Sequence, residues 1–300
     1  MGKTKIEWAT HVWNPVRGCT RVSRGCEHCY AERMAARRLP GLMSPTTGEP
    51  YATMTADGPR WTGQVELIER QLEVPMRWKN PRRIFVNSMS DTFHEALPDE
   101  AIDRIFAVMA MCPQHTFFVL TKRAERMEQY AQAAARGAFL DTCAGEAYLA
   151  SYPMHRRRPW PLGNVWLGVS VEARANKYRI DALRKTPAAL RFLSLEPLLE
   201  DLGELDLRGI RWVIVGGESG PGARPCSISW IRSVVEQCRA AKVSCFVKQL
   251  GAHIRGDKAE FRTIDWDVVD GHGFGLCDRK GGDPDEWPED IRVRQMPEAK

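Results

Sequence analysis

From residue 83 onward the chain repeats one pattern: a short apolar run, a polar turn, then a stretch of helical period. RIFVN (83–87) runs into SMSD, TFFVL (116–120) into TKR, and NVWLG (164–168) into VSVE. LRFL (190–193) runs into SLEP, RWVIV (211–215) into GGESGPG, and SCFV (244–247) into KQLG. Period alone cannot separate such runs from buried helix pieces. Their Val, Ile and Phe content and the helices between them favour strands of a parallel sheet. Helices are predicted over 98–111, 124–136, 173–185 and 229–242. In the first, Pro98 suits a first turn, Asp99 and Glu100 complement the dipole, and Ile102, Ile105, Phe106 and Met109 form the apolar stripe.

Six strands, or seven if residues 12–16 contribute one, predict an α/β fold: a partial (β/α) barrel of six or seven units, TIM-like, with an irregular C-terminal tail. No dinucleotide fingerprint opens the chain, so a doubly wound sheet fits less well. The step from 195 to 211 is too short for a full crossover helix. Upstream, 30–39 reads as a helix stopped by Pro40 and Gly41, 40–63 as a long loop, and VELIERQLEVPMRW as an amphipathic connector. Residues 1–252 are expected to form the barrel with its cysteine loop, and 253–300 an extension packing on or covering it.

Hydrophobic residues make up 43% of the chain, enough for a sizeable core, and no apolar run approaches the roughly 20 residues of a membrane span. The N-terminus has no apolar signal core, so a cytoplasmic protein without membrane contact is expected. A formal charge of +5 permits a nucleic-acid partner without arguing for one.

Nine cysteines are present, and three are close together in WNPVRGCTRVSRGCEHCYA. Cys19, Cys26 and Cys29 have C-x6-C-x2-C spacing. A disulfide framework is not expected in a chain this long without a signal peptide. Thiolates suit zinc or an iron–sulfur cluster. A zinc knuckle would take a fourth ligand from His11 or His28, whereas three cysteines suit a [4Fe–4S] cluster with one iron open to a small molecule. Spacing alone leaves both open. The barrel context favours the cluster.

In a parallel barrel the active site forms at the carboxyl ends of the strands. The polar residues there are Asn14 and Arg17; Ser88, Ser90 and Asp91; Lys122 and Arg123; Ser170 and Glu172; Ser194 and Glu196; Glu218; and Lys248 with Gln249. Each alone could cap a helix. As a set they would bind a polar, zwitterionic ligand. The glycines of GGESGPG would let backbone approach a ligand, or simply form a turn.

NPVRGC followed by C-x2-C-Y-A resembles the radical S-adenosylmethionine enzymes, especially the branch around spore photoproduct lyase. The first gap departs from the usual C-x3-C-x2-C through an inserted TRVSRG. Over nearly the whole length, IFVNSMSD, VLTKR, WLGVSVE, RFLSLEPLL, WVIVGGESGPGARP and KGGDPDEWPEDIRVR resemble a phage- and bacteria-associated three-cysteine-motif family of unassigned function.

The first resemblance implies a [4Fe–4S] cluster on Cys19, Cys26 and Cys29, with S-adenosylmethionine chelated at the open iron. A one-electron reductant, flavodoxin- or ferredoxin-like, would drive cleavage to a 5′-deoxyadenosyl radical that abstracts a substrate hydrogen. It implies cofactor contacts from Tyr30, Ser88, Ser90, Asp91, Ser170, Glu172, Glu196, Gly216, Gly217 and Glu218. Asn14, Arg17, Lys122, Arg123, Lys248 and Gln249 would face substrate or the methionine carboxylate, and Asp91, Glu196 and Lys248 are the catalytic candidates.

Basic residues alternate with tryptophan in RWKNPRR (77–83) and HRRRPW (155–160), a pattern suited to phosphates and bases but also to an ordinary solvated surface. With the likeness to a lyase acting on DNA, it points to DNA or another nucleic acid as substrate, in repair or modification; a protein partner stays open. A zinc-stabilised nucleic-acid-binding module without catalysis is the alternative. A metal-dependent hydrolase ranks third, because none of the seven histidines ends a strand cleanly.

Overall fold

The computed structural model describes residues 3–37, 43–135, 160–256 and 276–298. The fold is mixed α/β, with a seven-stranded sheet. In chain order the strands are β1 (His11–Trp13), β2 (Val16–Arg17), β3 (Ala52–Thr55), β4 (Gly58–Trp61), β5 (Glu66–Leu67), β6 (Arg83–Val86) and β7 (Thr116–Thr121). They continue with β8 (Val165–Ser170), β9 (Leu190–Leu195), β10 (Trp212–Gly216), β11 (Cys226–Ser227), β12 (Ser244–Gln249) and β13 (Ile254–Arg255). The helices are α1 (Tyr30–Ala35), α2 (Glu69–Leu72), α3 (Asp99–Met111), α4 (Ala124–Ala135), α5 (Tyr178–Lys185) and α6 (Ile228–Ala240).

The large sheet runs β1-β6-β7-β8-β9-β10-β12. Its strands follow chain order and pair in parallel, β1 with β6, β6 with β7, β7 with β8, β9 with β10 and β10 with β12. A doubly wound sheet reverses its order at a switch point. This order does not reverse, which is compatible with a partial barrel.

By compactness the chain divides into two units, Met1–Val169 with Ala182–Leu190, and Ser170–Asp181 with Arg191–Lys300. In the first, α3 buries Ile102, Ile105, Phe106 and Met109, each 0% exposed. Full burial of such side chains is worth about 1.5–3 kcal/mol each. Buried Asp103 on α3 accepts the Tyr130 hydroxyl of α4 at 2.8 Å, so the one charge on that face has a partner. Asn164 ties the start of β8 to the end of α3 and the turn after it, donating to the carbonyls of Met109, Cys112 and His115.

In the second unit, residues 196–211 contain no helix, as their length required. Buried Leu198, Leu202, Leu205, Leu207 and Ile210 supply the apolar cover instead. The described tail packs on the free edge of β12: Val247 N–H donates to Val293 O and Gln295 N–H to Cys245 O, both at 2.8 Å. Trp287 and Ile291 are buried beside it. An open strand edge is thereby covered.

Several element boundaries differ from expectation. Residues 12–16 are not one strand: Pro15 has no N–H to give a ladder, so β1 ends at Trp13 and β2 pairs antiparallel with β5. The expected loop 40–63 contains the hairpin β3–β4, turning through Ala56 and Asp57 into Gly58 at φ 96°. The Asp-Gly pair was its signal. The amphipathic connector is broken by Pro75 into α2 and a 3-10 turn, Val74–Arg77. Residues 173–185 form a 3-10 turn, Arg174–Asn176, and then α5. Ser170, Ser194, Lys248 and Gln249 lie within β8, β9 and β12, not after them. Position 136 and residues 38–42 and 155–159, on which other expectations fell, are outside the described residues.

Candidate functional site

The cysteine loop leaves β2 and is held at the carboxyl ends of β6 and β7. Gly18 pairs with Ser90 beyond β6, and the Ser90 hydroxyl donates to Val16 O at 2.8 Å. Asn87, at φ 56°, accepts Val16 N–H through its side chain at 3.1 Å. The Ser88 hydroxyl donates to Asn14 Oδ1 at 3.1 Å, and its carbonyl accepts the Tyr30 hydroxyl at 2.5 Å. Gly18 admits no side chain, since a Cβ would lie 1.8 Å from Gln64 O. Asn14, Ser88 and Ser90 thus fasten the loop.

The inserted TRVSRG does the same work from the other side. Thr20 Oγ1 meets His94 Nε2 at 2.9 Å and accepts from Arg123 Nη2 at 2.8 Å. Arg21 grips Glu32 of α1 with Nε and Nη2 at 3.0 and 2.5 Å, and Nη2 also donates to Pro59 O of the hairpin. Glu32 is 0% exposed and accepts Trp61 N–H at 2.8 Å. The six-residue gap therefore straps loop, helix and hairpin together.

Arg123 is the centre of this unit. Its Nε donates to both oxygens of Glu95 at 2.9 and 2.8 Å, Nη1 to Asp91 at 3.1 Å, and Nη2 to Thr20. Nη1 also lies 3.8 Å from Cys19 Sγ. Burial works against its charge, but Asp91, Cys19 and Glu95 hold its pKa above the ordinary value. Asp91, 5% exposed, takes four donors: the Thr121 hydroxyl at 2.7 Å, Phe93 N–H, Lys122 N–H and Arg123. Both its oxygens are engaged, so it positions Arg123.

Cys19, Cys26 and Cys29 are free thiols of intermediate exposure. Burial, followed by the Asp91 charge, pushes the Cys19 thiol up to about 12, with Arg123 pulling the other way. Burial also raises Cys29, opposed by the Glu32 and Ala31 N–H groups and the Lys122 charge. Lys122 and Arg123 thus stand by different cysteines and favour their thiolates. Metal uptake here would release protons.

Among the described residues, no three His, Cys, Asp or Glu side chains converge on one metal ion. One zinc would draw its sulfurs to about 4 Å of each other. The loop brings its three thiols beside two cations, Lys122 and Arg123. His11, one of the two fourth ligands the zinc reading offers, sits at the start of β1, bonded to Thr10 and Arg82, its ring tilted 52° against Trp78 at 5.1 Å.

The second unit holds the other candidates. Glu172, 0% exposed, pairs with Arg179 at 2.8 Å, and the same guanidinium donates to Ser170 O. Glu218 is closed within its own loop by Arg224, through N–H at 2.9 Å, Nε at 3.0 Å and Nη2 at 2.6 Å. Gln249 donates to Gly217 O at 2.9 Å. Glu196 is ion-paired as well: its Oε1 lies 3.1 Å from Lys248 Nζ, and Oε2 accepts the Ser194 hydroxyl at 3.3 Å. A Cβ on Gly216 would sit 2.9 Å from Glu196 Oε1, so the glycine makes room for that carboxylate.

In the first unit Arg17 lies opposite Glu66 of β5, with Tyr51, Arg70 and Glu66 as its charge neighbours. RWKNPRR precedes β6, at the opposite end of that strand from the cysteine loop, and Arg82 stacks 4.7 Å over Trp78. Of HRRRPW only Trp160 is described; it donates to Pro187 O. Thr20, Arg21, Glu32, His94, Glu95, Arg179 and Arg224 were missed as supporting residues. Glu32 had a legible signal, a charge on a face otherwise made of Ala31 and Ala35.

Residues 3–280 match the model of a family described as protein of unknown function (DUF5131). The chain belongs to that family. No curated protein and no solved structure matches it. Among the described residues no helix is long and apolar enough to cross a membrane.

Proposed function

We propose that this protein is a radical S-adenosylmethionine enzyme that binds a [4Fe–4S] cluster through Cys19, Cys26 and Cys29 and abstracts hydrogen from a nucleic acid in repair or modification. One observation carries the reading: three free, half-buried thiols on a loop clamped to the carboxyl ends of parallel strands, with a buried guanidinium 3.8 Å from the first sulfur. The chemistry such a cluster supplies with S-adenosylmethionine is one-electron cleavage of the sulfonium bond and hydrogen abstraction by the resulting 5′-deoxyadenosyl radical.

The chain's own residues hold and polarise. Asp91 and Glu95 fix Arg123, and Arg123 fixes Cys19 and Thr20. Lys122 adds positive charge near Cys29. Together they offset the charge that ligated thiolates bring. The nucleic-acid assignment rests on the sequence resemblance.

Anaerobic reconstitution with iron and sulfide tests the reading. The expected result is about four irons per chain, a spectrum lost in Cys19→Ala, and 5′-deoxyadenosine on reduction with S-adenosylmethionine. One zinc and no iron, or a full cluster spectrum in Cys19→Ala, would overturn it. Hydrogen–deuterium exchange into 5′-deoxyadenosine from a labelled oligonucleotide tests the substrate class.

A further inference from the structure

The β2–β5 ladder sets Arg17 directly opposite Glu66. Opposite charges facing across an antiparallel pair usually bind each other. Here the carboxylate is taken by hydroxyl groups instead. Its Oε1 accepts the hydroxyl of Tyr51, a residue only 1% exposed. Burial works against the Glu66 charge, but the Tyr51, Ser44 and Thr46 hydroxyls hold its pKa below the ordinary carboxylate value, and Arg17 contributes least of these groups. Among the described residues the Arg17 side chain makes no hydrogen bond and no ion pair. By contrast Arg21, Arg123, Arg179 and Arg224 each meet a carboxylate.

Arg17 is half-buried, and its Nη1 is enclosed without an acceptor. Burial is the largest influence against its charge, and Arg70 of α2 is near enough to push the same way, with Tyr51 and Glu66 opposing. Arg70 is exposed and, among the described residues, also lacks an ion pair, its neighbour Glu69 being held by Arg104. Two guanidinium groups are thus kept close together beside one carboxylate that is already engaged. A guanidinium taken partly out of water without an acceptor is costly, and a second cation beside it adds to that cost. An anion bound between them would offset both.

We propose that Arg17 and Arg70 form a binding site for a phosphate group, free or carried by a nucleic acid, on the ladder that leads into the cysteine loop. One guanidinium fork fills a carboxylate, whereas a phosphate has oxygens for two. The site stands on the two arginines and not on the cluster reading, so its failure would leave that reading untouched.

The test uses the full chain after anaerobic reconstitution, titrated at low salt with inorganic phosphate or a single-stranded DNA oligonucleotide and read by calorimetry and melting temperature. If no iron is taken up, the same titrations on the chain as purified decide the site. Arg17→Met keeps the aliphatic stem and drops the charge, and Arg70→Gln changes an exposed position. Arg77→Gln, at an exposed arginine 4.0 Å from Glu73, is the control. Phosphate also stabilises proteins by exclusion from their surface, which the variants share, so the difference from wild type is the readout. The expected result is phosphate binding at least about tenfold weaker in Arg17→Met and Arg70→Gln, and unchanged in Arg77→Gln. Without phosphate, Arg17→Met should melt no lower than wild type, because its cation has no partner to lose. Oligonucleotide binding that is tighter than inorganic phosphate and weakened by the same two variants assigns a nucleic-acid phosphate; binding of inorganic phosphate alone assigns a free one. Equal affinities in wild type, Arg17→Met and Arg70→Gln, an equal loss in Arg77→Gln, or no binding of either probe would overturn the site. So would a clear drop in the phosphate-free melting temperature of Arg17→Met, which would make Arg17 a residue that holds the fold.

Discussion

Replacing Arg123 with methionine isolates the clamp from the cysteines themselves. Methionine fills much of the same space but carries none of the donors. The Arg123 side chain is 4% exposed and Asp91 7%, so the pair is screened little by water. Breaking a buried pair by removing one partner costs about 3–5 kcal/mol. The low end applies here, because Thr121, Phe93 and Lys122 still donate to Asp91. A loss of about 3 kcal/mol corresponds to roughly a 10²-fold change in the opening equilibrium. Backbone hydrogen exchange of residues 17–25 is the assay, since Thr20 loses two of its contacts with the guanidinium. Glu95→Ala is the internal control. It removes the other carboxylate on Arg123, but that side chain is 64% exposed, so its loss should cost at most about 1 kcal/mol and a few-fold in exchange. If Arg123→Met raises exchange by less than about fivefold, or if the two variants behave alike, the clamp argument is wrong.

Three other outcomes follow from single sites. Glu32→Ala should cost about 3 kcal/mol, the low end for a broken buried pair, because it leaves Trp61 N–H without its acceptor and Arg21 with only the Pro59 and Glu27 carbonyls; thermal melting and proteolysis of the hairpin would show it. Gly217→Ala would place a Cβ 2.1 Å from Leu250 O, against backbone that cannot swing aside, and should abolish soluble expression, whereas Gly216→Ala, with contacts of 2.9 Å, should be milder. His115, 1% exposed, faces Pro75 O at 3.1 Å, and burial chiefly lowers its pKa. The unfolded chain therefore binds that proton first, and stability should fall as pH drops through the ordinary histidine value of about 6.5 toward the lower folded value. His115→Gln should lessen the fall in melting temperature between about pH 7.5 and about pH 5.5, with His11 and His94, whose pKa values burial also lowers, keeping the rest of it.

Much of the fold was legible because apolar period and strand length are local properties. Six of the seven strands of the sheet, their parallel pairing and the helices of the later units follow from runs such as RIFVN, TFFVL and RWVIV, while β1 is legible only as an optional strand over 12–16. Short elements outside that repeat were not legible. Strands β2 and β5 are too short to show a period, and only antiparallel pairing across the intervening hairpin makes them strands. Asp57-Gly58 was the one local sign of that hairpin.

The candidate residues divide in the same way. The spacing of Cys19, Cys26 and Cys29 and the polar strand ends could be read along the chain, since ligand type and strand register are written there. Which acid meets which base could not. Glu172 pairs with Arg179, Glu218 with Arg224 and Glu196 with Lys248, and nothing in their local sequence shows which partner each takes. Nor could residue order show that Arg123 reaches back over a hundred positions to Thr20 and Cys19. Ion pairs and thiol environments depend on distance and burial, which exist only once the chain has folded. The cysteine spacing put three thiols on one loop; the tertiary structure decided which charges stand beside them and which are spent on holding that loop in place.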